Sequence, residues 1–202
     1  MFSLFKILQF SHELVILHTH KTLDMETIHV KDIVFAISIK EEDILKEVDR
    51  VAKEINRDFA DKDPLFISLL NGSFMFTADL MKRINFSCEV QFVKFSSYEG
   101  TSSTGKVNEM IGLKGDLTGR TVVIVEDIIE SGTTMKYMLD SLKEKNPKEI
   151  HICTLLMKPE KLKVDLNVEY VAMRIPNDFI VGYGLDYDGY GRNYKDIYSV
   201  VN

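Results

Sequence analysis

Two cysteines, Cys88 and Cys153, are all the thiol chemistry that the 202-residue chain offers. Without a CxxC pair or a Cys/His cluster, neither a disulfide framework nor a zinc site is indicated, and reduced, buried thiols in a cytosolic protein are expected. Positive charge is also short: 25 Lys and Arg stand against 31 Asp and Glu, a net charge of -6. That balance gives no broad attraction for nucleic acid. No uncharged apolar run approaches the ~20 residues that span a bilayer, so no membrane partner is expected. Internal repeats, low-complexity tracts and linkers are missing, and the length suits one domain with a full core. The common phosphate fingerprints are absent too. No GxxxxGK followed by Ser or Thr occurs, and Gly182-Tyr183-Gly184 lacks the third glycine of GxGxxG.

The first 24 residues, MFSLFKILQFSHELVILHTHKTLD, hold three of the five histidines, His12, His18 and His20. Gln9, His12 and Glu13 interrupt the apolar run and no A-x-A-like site follows, so a secretory signal is not indicated. His18 and His20 have no third ligand nearby and make a weak metal candidate. Residues 1–24 are expected to be a disordered, dispensable leader, with a single domain over 25–202.

Ser38-Ile39-Lys40-Glu41 has the spacing of a capping box, and Ile44, Val48, Val51, Ala52, Ile55 and Phe59 then recur at helical period, ending before Asp63-Pro64. LFISLL at 65–70 reads as a buried strand closed by Asn71-Gly72, with a helix expected over 74–84. EVQFVKFSS at 89–97 alternates like a strand and leads into a polar segment, 98–106, expected to be a mobile loop. Further strands are predicted at 121–126, 149–157, 168–175, 179–183 and near 197–201, with a helix over 134–145. Apolar strands alternating with helices predict an α/β fold: a mainly parallel sheet flanked by helices. Ligands of such sheets bind at the carboxyl ends of the strands.

The segment VVIVEDIIESGTTM, residues 122–135, places Glu126, Asp127 and Glu130 at such an end. Clustered carboxylates repel one another and are costly to desolvate, so a cation or a polyhydroxylated partner is expected among them. Glu130-Ser131-Gly132-Thr133-Thr134 leads from strand to helix, where backbone amides and the hydroxyls of Ser131, Thr133 and Thr134 can surround a phosphate. Simple helix capping is the plainer reading, but it leaves three carboxylates unaccounted for. A phosphate beside carboxylates that bind sugar hydroxyls, or hold Mg²⁺ through water, points to a phosphorylated sugar. Solvated carboxylates at a strand end are the alternative.

This segment closely resembles the phosphoribosyl-diphosphate signature of purine phosphoribosyltransferases of the hypoxanthine-guanine type, and the likeness continues in order from about residue 30 to the C-terminus. The resemblance implies a type I phosphoribosyltransferase fold with a small hood built from chain-terminal segments. It also implies transfer of a 5-phosphoribosyl group from 5-phosphoribosyl 1-diphosphate to N9 of hypoxanthine or guanine, with Mg²⁺, in a cytoplasmic homodimer or homotetramer. Leu70, Asn71 and Gly72 are similar to the pyrophosphate-binding loop with its non-proline cis peptide. Ser97 and Tyr98 open a segment that resembles a closing loop. Lys158 matches the lysine that donates to the purine 6-oxo group, Phe179 the stacking aromatic, and Ile180 a base-reading backbone position. Glu126, Asp127 and Asp186 match the ribose and metal carboxylates, and Arg192 a pyrophosphate-contacting arginine. The chain departs from the family pattern twice. Glu130 stands where the family usually has the Asp that takes the purine N7 proton, and Asn71 where a lysine often stands. A xanthine-preferring transferase and a non-catalytic phosphoribosyl-diphosphate sensor are the rival readings.

Overall fold

The computed structural model describes residues 26–96 and 109–201. A hairpin of β1 (Thr27–Val30) and β2 (Ile33–Ile39) leads into helix α1 (Glu41–Phe59) and strand β3 (Leu65–Leu69). Helix α2 (Phe74–Met81) follows, then β4 (Glu89–Ser96), β5 (Glu109–Ile111) and β6 (Thr121–Ile129). Helix α3 (Thr133–Lys143), β7 (Glu149–Met157), a 3-10 turn (Pro159–Lys161) and β8 (Tyr170–Arg174) come next. β9 (Ile180–Val181) and β10 (Ile197–Val200) end the described chain.

The main sheet has the order β5-β4-β3-β6-β7-β8, and all its neighbours pair in parallel except β5, which is antiparallel at the edge. Its central strands are apolar on both faces because helices cover both. Phe66, Val123 and Val125 pack toward α1 and α2, whereas Leu65, Ile67, Val122 and Ile124 pack toward Met135, Met138 and Leu142 of α3. The period-2 alternation of a strand thus fills two cores.

Helix α1 buries all six residues of the predicted stripe. Its expected capping box does not form. Ser38 lies in β2, the N-cap position is Lys40, and no side chain of the local sequence caps the helix. Instead Asp196 Oδ1 accepts from the Glu41 amide at 2.7 Å, so the cap comes from the far end of the chain. Strand β6 also runs on to Ile129 rather than stopping at residue 126, because its parallel pairing with β7 continues to Met157. Glu126 and Asp127 therefore stand on the strand, not beyond it.

The chain-terminal segments form an antiparallel sheet of order β1-β2-β10-β9, the expected hood, around Val30, Phe35, Val181 and Tyr198. Tyr183 Oη donates to Asp79 Oδ2 at 2.6 Å, joining the hood region to α2. Both cysteines are free, Cys153 fully buried and Cys88 only half-buried ahead of β4. Among the described residues no helix is long and apolar enough to cross a membrane.

Candidate active site

The carboxyl ends of β3, β6 and β7 supply most of the predicted site residues. After β3 the Leu70–Asn71 peptide is cis. Beneath this turn lies a buried hydroxyl network, in which Ser68 Oγ lies 2.8 Å from Ser73 Oγ and 2.7 Å from Thr77 Oγ1. Ser73 donates in turn to the Leu69 carbonyl, and the Leu70 amide donates to Val93 O at 2.8 Å. The turn is therefore held from below by hydrogen bonds that water cannot reach. Gly72 has no room for a side chain: a Cβ there would overlap the Asp127 carboxylate, and the Gly72 carbonyl lies tight against Gly184. The pyrophosphate-loop candidate, a signature carboxylate and the hood segment meet at this point.

Glu126 is buried on β6, its Oε1 accepting from the Asp127 amide at 3.2 Å. Burial, and next the neighbouring Asp127 carboxylate, push the Glu126 carboxyl well above the ordinary value. A buried carboxylate in such surroundings is a site prepared for a cation or for hydroxyl donors.

Beyond β6, Gly132 takes a left-handed conformation (φ 76°) and serves as the N-cap of α3. Ser131 Oγ donates to Thr133 Oγ1 at 3.1 Å and accepts from the Thr133 amide at 3.3 Å. The first turn of α3 carries no acidic residue, so its positive dipole end is uncompensated. A cavity of about 250 Å³ opens here between Glu126, Glu130, Ser131, Gly132 and Thr134. It is polar at the helix end and suits an oxyanion.

Glu130 and Lys158 are directly paired. Lys158 is almost wholly buried, and its Nζ also donates to the Asp178 carbonyl at 2.8 Å. Lys161 Nζ reaches the other Glu130 oxygen, Oε2, at 3.4 Å. Partial burial works to raise the Glu130 pKa, but the two lysines outweigh it and hold the carboxyl below its ordinary value. Next to Asp178, Phe179 packs edge-on against Tyr187, with centroids 5.6 Å apart, yet leaves 43% of its surface exposed. An exposed aromatic on a hood edge offers a stacking face. Val200 N donates to Phe179 O at 2.9 Å, and Ile180 is opposite Ser199. In that antiparallel register Ile180 turns its own carbonyl away from β10, toward the free edge of β9.

Arg192 binds Asp186 Oδ1 through Nη2 at 2.6 Å and the Gly184 carbonyl through Nη1 at 2.7 Å. Gly189 N adds 2.7 Å to Asp186 Oδ2. Asp186 is thus engaged by an arginine rather than joined to Glu126 and Asp127, and among the described residues no three acidic, His or Cys groups converge as a ready metal cage. Ser97 and Tyr98, with the 98–106 loop and residues 1–24, lie outside the described residues. Sequence reasoning passed over Ser68, Ser73, Thr77, Asp178 and Lys161. A serine inside an apolar strand and a second lysine three residues after Lys158 were the available signals.

The chain belongs to the phosphoribosyltransferase family: the family model described as phosphoribosyl transferase domain matches residues 38–188. Its relatives include hypoxanthine-guanine phosphoribosyltransferases. That of Streptococcus pyogenes serotype M3 is 41% identical over 80% of this chain and 88% of its own. That of Aquifex aeolicus is 40% identical over 80% of this chain and 92% of its own. The crystal structure of a hypoxanthine-guanine phosphoribosyltransferase from Bacillus anthracis superposes with a TM-score of 0.74 at 41% identity, covering 82% of this chain and 96% of that one.

Proposed function

We propose that residues 25–202 form one phosphoribosyltransferase domain that makes IMP, and GMP, from 5-phosphoribosyl 1-diphosphate and the free base in purine salvage. The observation that carries this reading is the juxtaposition of a Glu130–Lys158 pair, an exposed Phe179 face and an anion-ready helix terminus. The N7 and O6 edge of a 6-oxopurine presents one donor and one acceptor side by side. A carboxylate beside an ammonium is complementary to it.

In the reaction, the C1–oxygen bond to pyrophosphate breaks as the N9–C1 bond forms, and the N7 proton passes to Glu130. Lys158 donates to O6, Phe179 stacks on the base, and Ile180 offers its carbonyl to the base edge. Glu126 and Asp127 take the ribose hydroxyls, where their negative charge favours a C1 centre that becomes cationic. Ser131, Gly132, Thr133 and Thr134 hold the 5-phosphate, and the Leu70-Asn71-Gly72 turn with Arg192 holds the pyrophosphate.

The donor set fits Mg²⁺, since Glu126 is a buried carboxyl with no Lys or Arg partner among the described residues and Asp127 stands next to it. Asp186 would join them on leaving Arg192, and substrate oxygens would complete the shell. When bound, Mg²⁺ neutralises the leaving pyrophosphate. We further propose a cytoplasmic protein, consistent with two free cysteines, and a homodimer or homotetramer, which analytical ultracentrifugation checks.

The direct test is incubation with the donor, Mg²⁺ and, separately, hypoxanthine, guanine, xanthine and adenine, with nucleotide formation followed by chromatography. Hypoxanthine and guanine are expected to react. Best activity on adenine would remove the role given to Lys158, xanthine as best substrate would shift the base assignment, and donor binding with no product from any base would favour the sensor.

A further inference from the structure

We infer that Lys161 is a positioning residue that fixes the orientation of the Glu130 carboxylate by binding its second oxygen. The inference rests on Glu130 being the base proposed above, and it concerns a residue that base recognition does not require.

Local backbone structure creates the contact. β7 ends at Met157, and the chain folds at once into the 3-10 turn Pro159–Lys161, in which the Lys161 amide donates to the Lys158 carbonyl at 3.0 Å. Residues three apart in a 3-10 turn eclipse one another. Lys158 and Lys161 therefore project on the same side, and Glu130 lies between them: Lys158 takes Oε1 and Lys161 Nζ stands 3.4 Å from Oε2. The turn is itself secured to the phosphate loop, since Lys163 N donates to Ser131 O at 3.0 Å. Two ammonium groups forced together repel unless a carboxylate bridges them, so each lysine gives the other a reason to hold Glu130.

The division of oxygens has a chemical use. When a 6-oxopurine arrives, the buried Lys158 must direct a proton to O6 while one Glu130 oxygen turns toward N7. A glutamate held by Lys158 alone would be free to rotate about its last torsion. With Oε2 tethered to Lys161, Oε1 is the atom left facing the base. A glutamate has one more rotatable bond than an aspartate, so it needs this tether more. Other charged groups near Glu130 are Glu126 in the shared cavity, and Glu160 and Lys163 beside Lys161. Both partners of the Lys161 contact are about two-fifths exposed. As a bare surface ion pair it contributes little to stability, so a purely structural role predicts almost no effect of its removal.

The test compares Lys161→Ala, Lys161→Arg, Glu130→Gln and the pair Glu130→Asp with and without Lys161→Ala, measuring kcat and the KM of each substrate with hypoxanthine. Lys161→Ala is expected to lower kcat roughly tenfold with the donor KM within about twofold, and Lys161→Arg to recover most of the loss. In the shorter Glu130→Asp background, Lys161→Ala is expected to cost about twofold or less. Unchanged kcat in Lys161→Ala overturns the inference, as does a loss of equal size in both backgrounds or a loss that arginine does not repair. Glu130→Gln separates the two levels: full turnover there removes the base assignment itself, whereas a slow Glu130→Gln with a normal Lys161→Ala removes only the role of Lys161.

Discussion

Glu126, which we propose as a ribose-binding residue, shows what such a buried carboxyl costs the fold. Its folded pKa is raised by burial, so its contribution to stability is present below the unfolded value near 4.5 and is lost as pH rises through the folded value. At neutral pH the ionised form opposes folding. Glu126→Gln is therefore expected to raise Tm by ~2–4 °C, on the order of 1 kcal/mol, while donor affinity falls roughly tenfold or more. Thermal melts at pH 7 beside calorimetric titration with the donor check both signs, and a lower Tm would contradict the account. Gly72 carries the opposite lesson, for here the missing side chain matters. Because a Cβ would strike Asp127, Gly72→Ala must displace either the turn or the carboxylate, and the donor kcat/KM is expected to fall roughly 10–100-fold. Steady-state kinetics with the donor varied would show it, and an unchanged value would mean that the turn adjusts freely.

Among the elements, those whose pattern is written in adjacent residues were legible, and those defined by distant partners were not. The 3.6-residue stripe of α1 and the apolar runs of β3, β6 and β7 each signal burial within one segment, and all four elements formed, with β6 running past its expected end at residue 126 to Ile129. The hairpin of β1 and β2 left no comparable signal, because its strands are mostly half-buried and β2 finds its second partner in the C-terminal β10. The extension of β6 past its carboxylates likewise depends on β7. Within the candidate site, the strand-to-helix turn over residues 130–134 was readable because consecutive residues build it, whereas the contacts of Lys158 with Glu130 and Asp178 needed the fold. The N-terminus of α1 is the clearest case. The capping box suggested by spacing yields to Asp196, 155 residues away. Burial disfavours the Asp196 charge, but the Glu41 amide and then Lys195 hold its carboxyl below the ordinary value. Asp196→Ala is expected to cost about 1 kcal/mol in urea unfolding, with Asp196→Asn recovering part of it. A silent substitution would mean that water replaces the cap.

Over the whole molecule, the two ends of the sheet differ in character. At the amino ends of β6 and β7, Glu149 accepts from Thr121 Oγ1 at 2.8 Å and pairs with Lys62 at 3.2 Å. The Thr121 hydrogen bond above all, then Lys62 and His151, overcome partial burial and bring its pKa down to about 2. A depressed carboxylate stabilises the fold above its unfolded pKa, and that gain is lost as pH falls from about 4.5 toward about 2. Glu149→Gln is expected to lose on the order of 1–2 kcal/mol at pH 7, with solvent screening taken into account, and to match the parent protein near pH 2. Denaturant titrations across that range test the convergence, and a constant gap would assign the loss to packing. At the carboxyl ends the polar groups are instead the ones we propose bind a ligand. There Gly72, in the turn after β3, is closed in by Asp127 of strand β6 and by Gly184 of the hood segment. A substitution that enlarges any one of them is tolerated only if another yields in the same step. Laboratory evolution toward a bulkier sugar donor would therefore have to cross an inactive intermediate or change these positions in pairs, and libraries that vary them singly would find nothing.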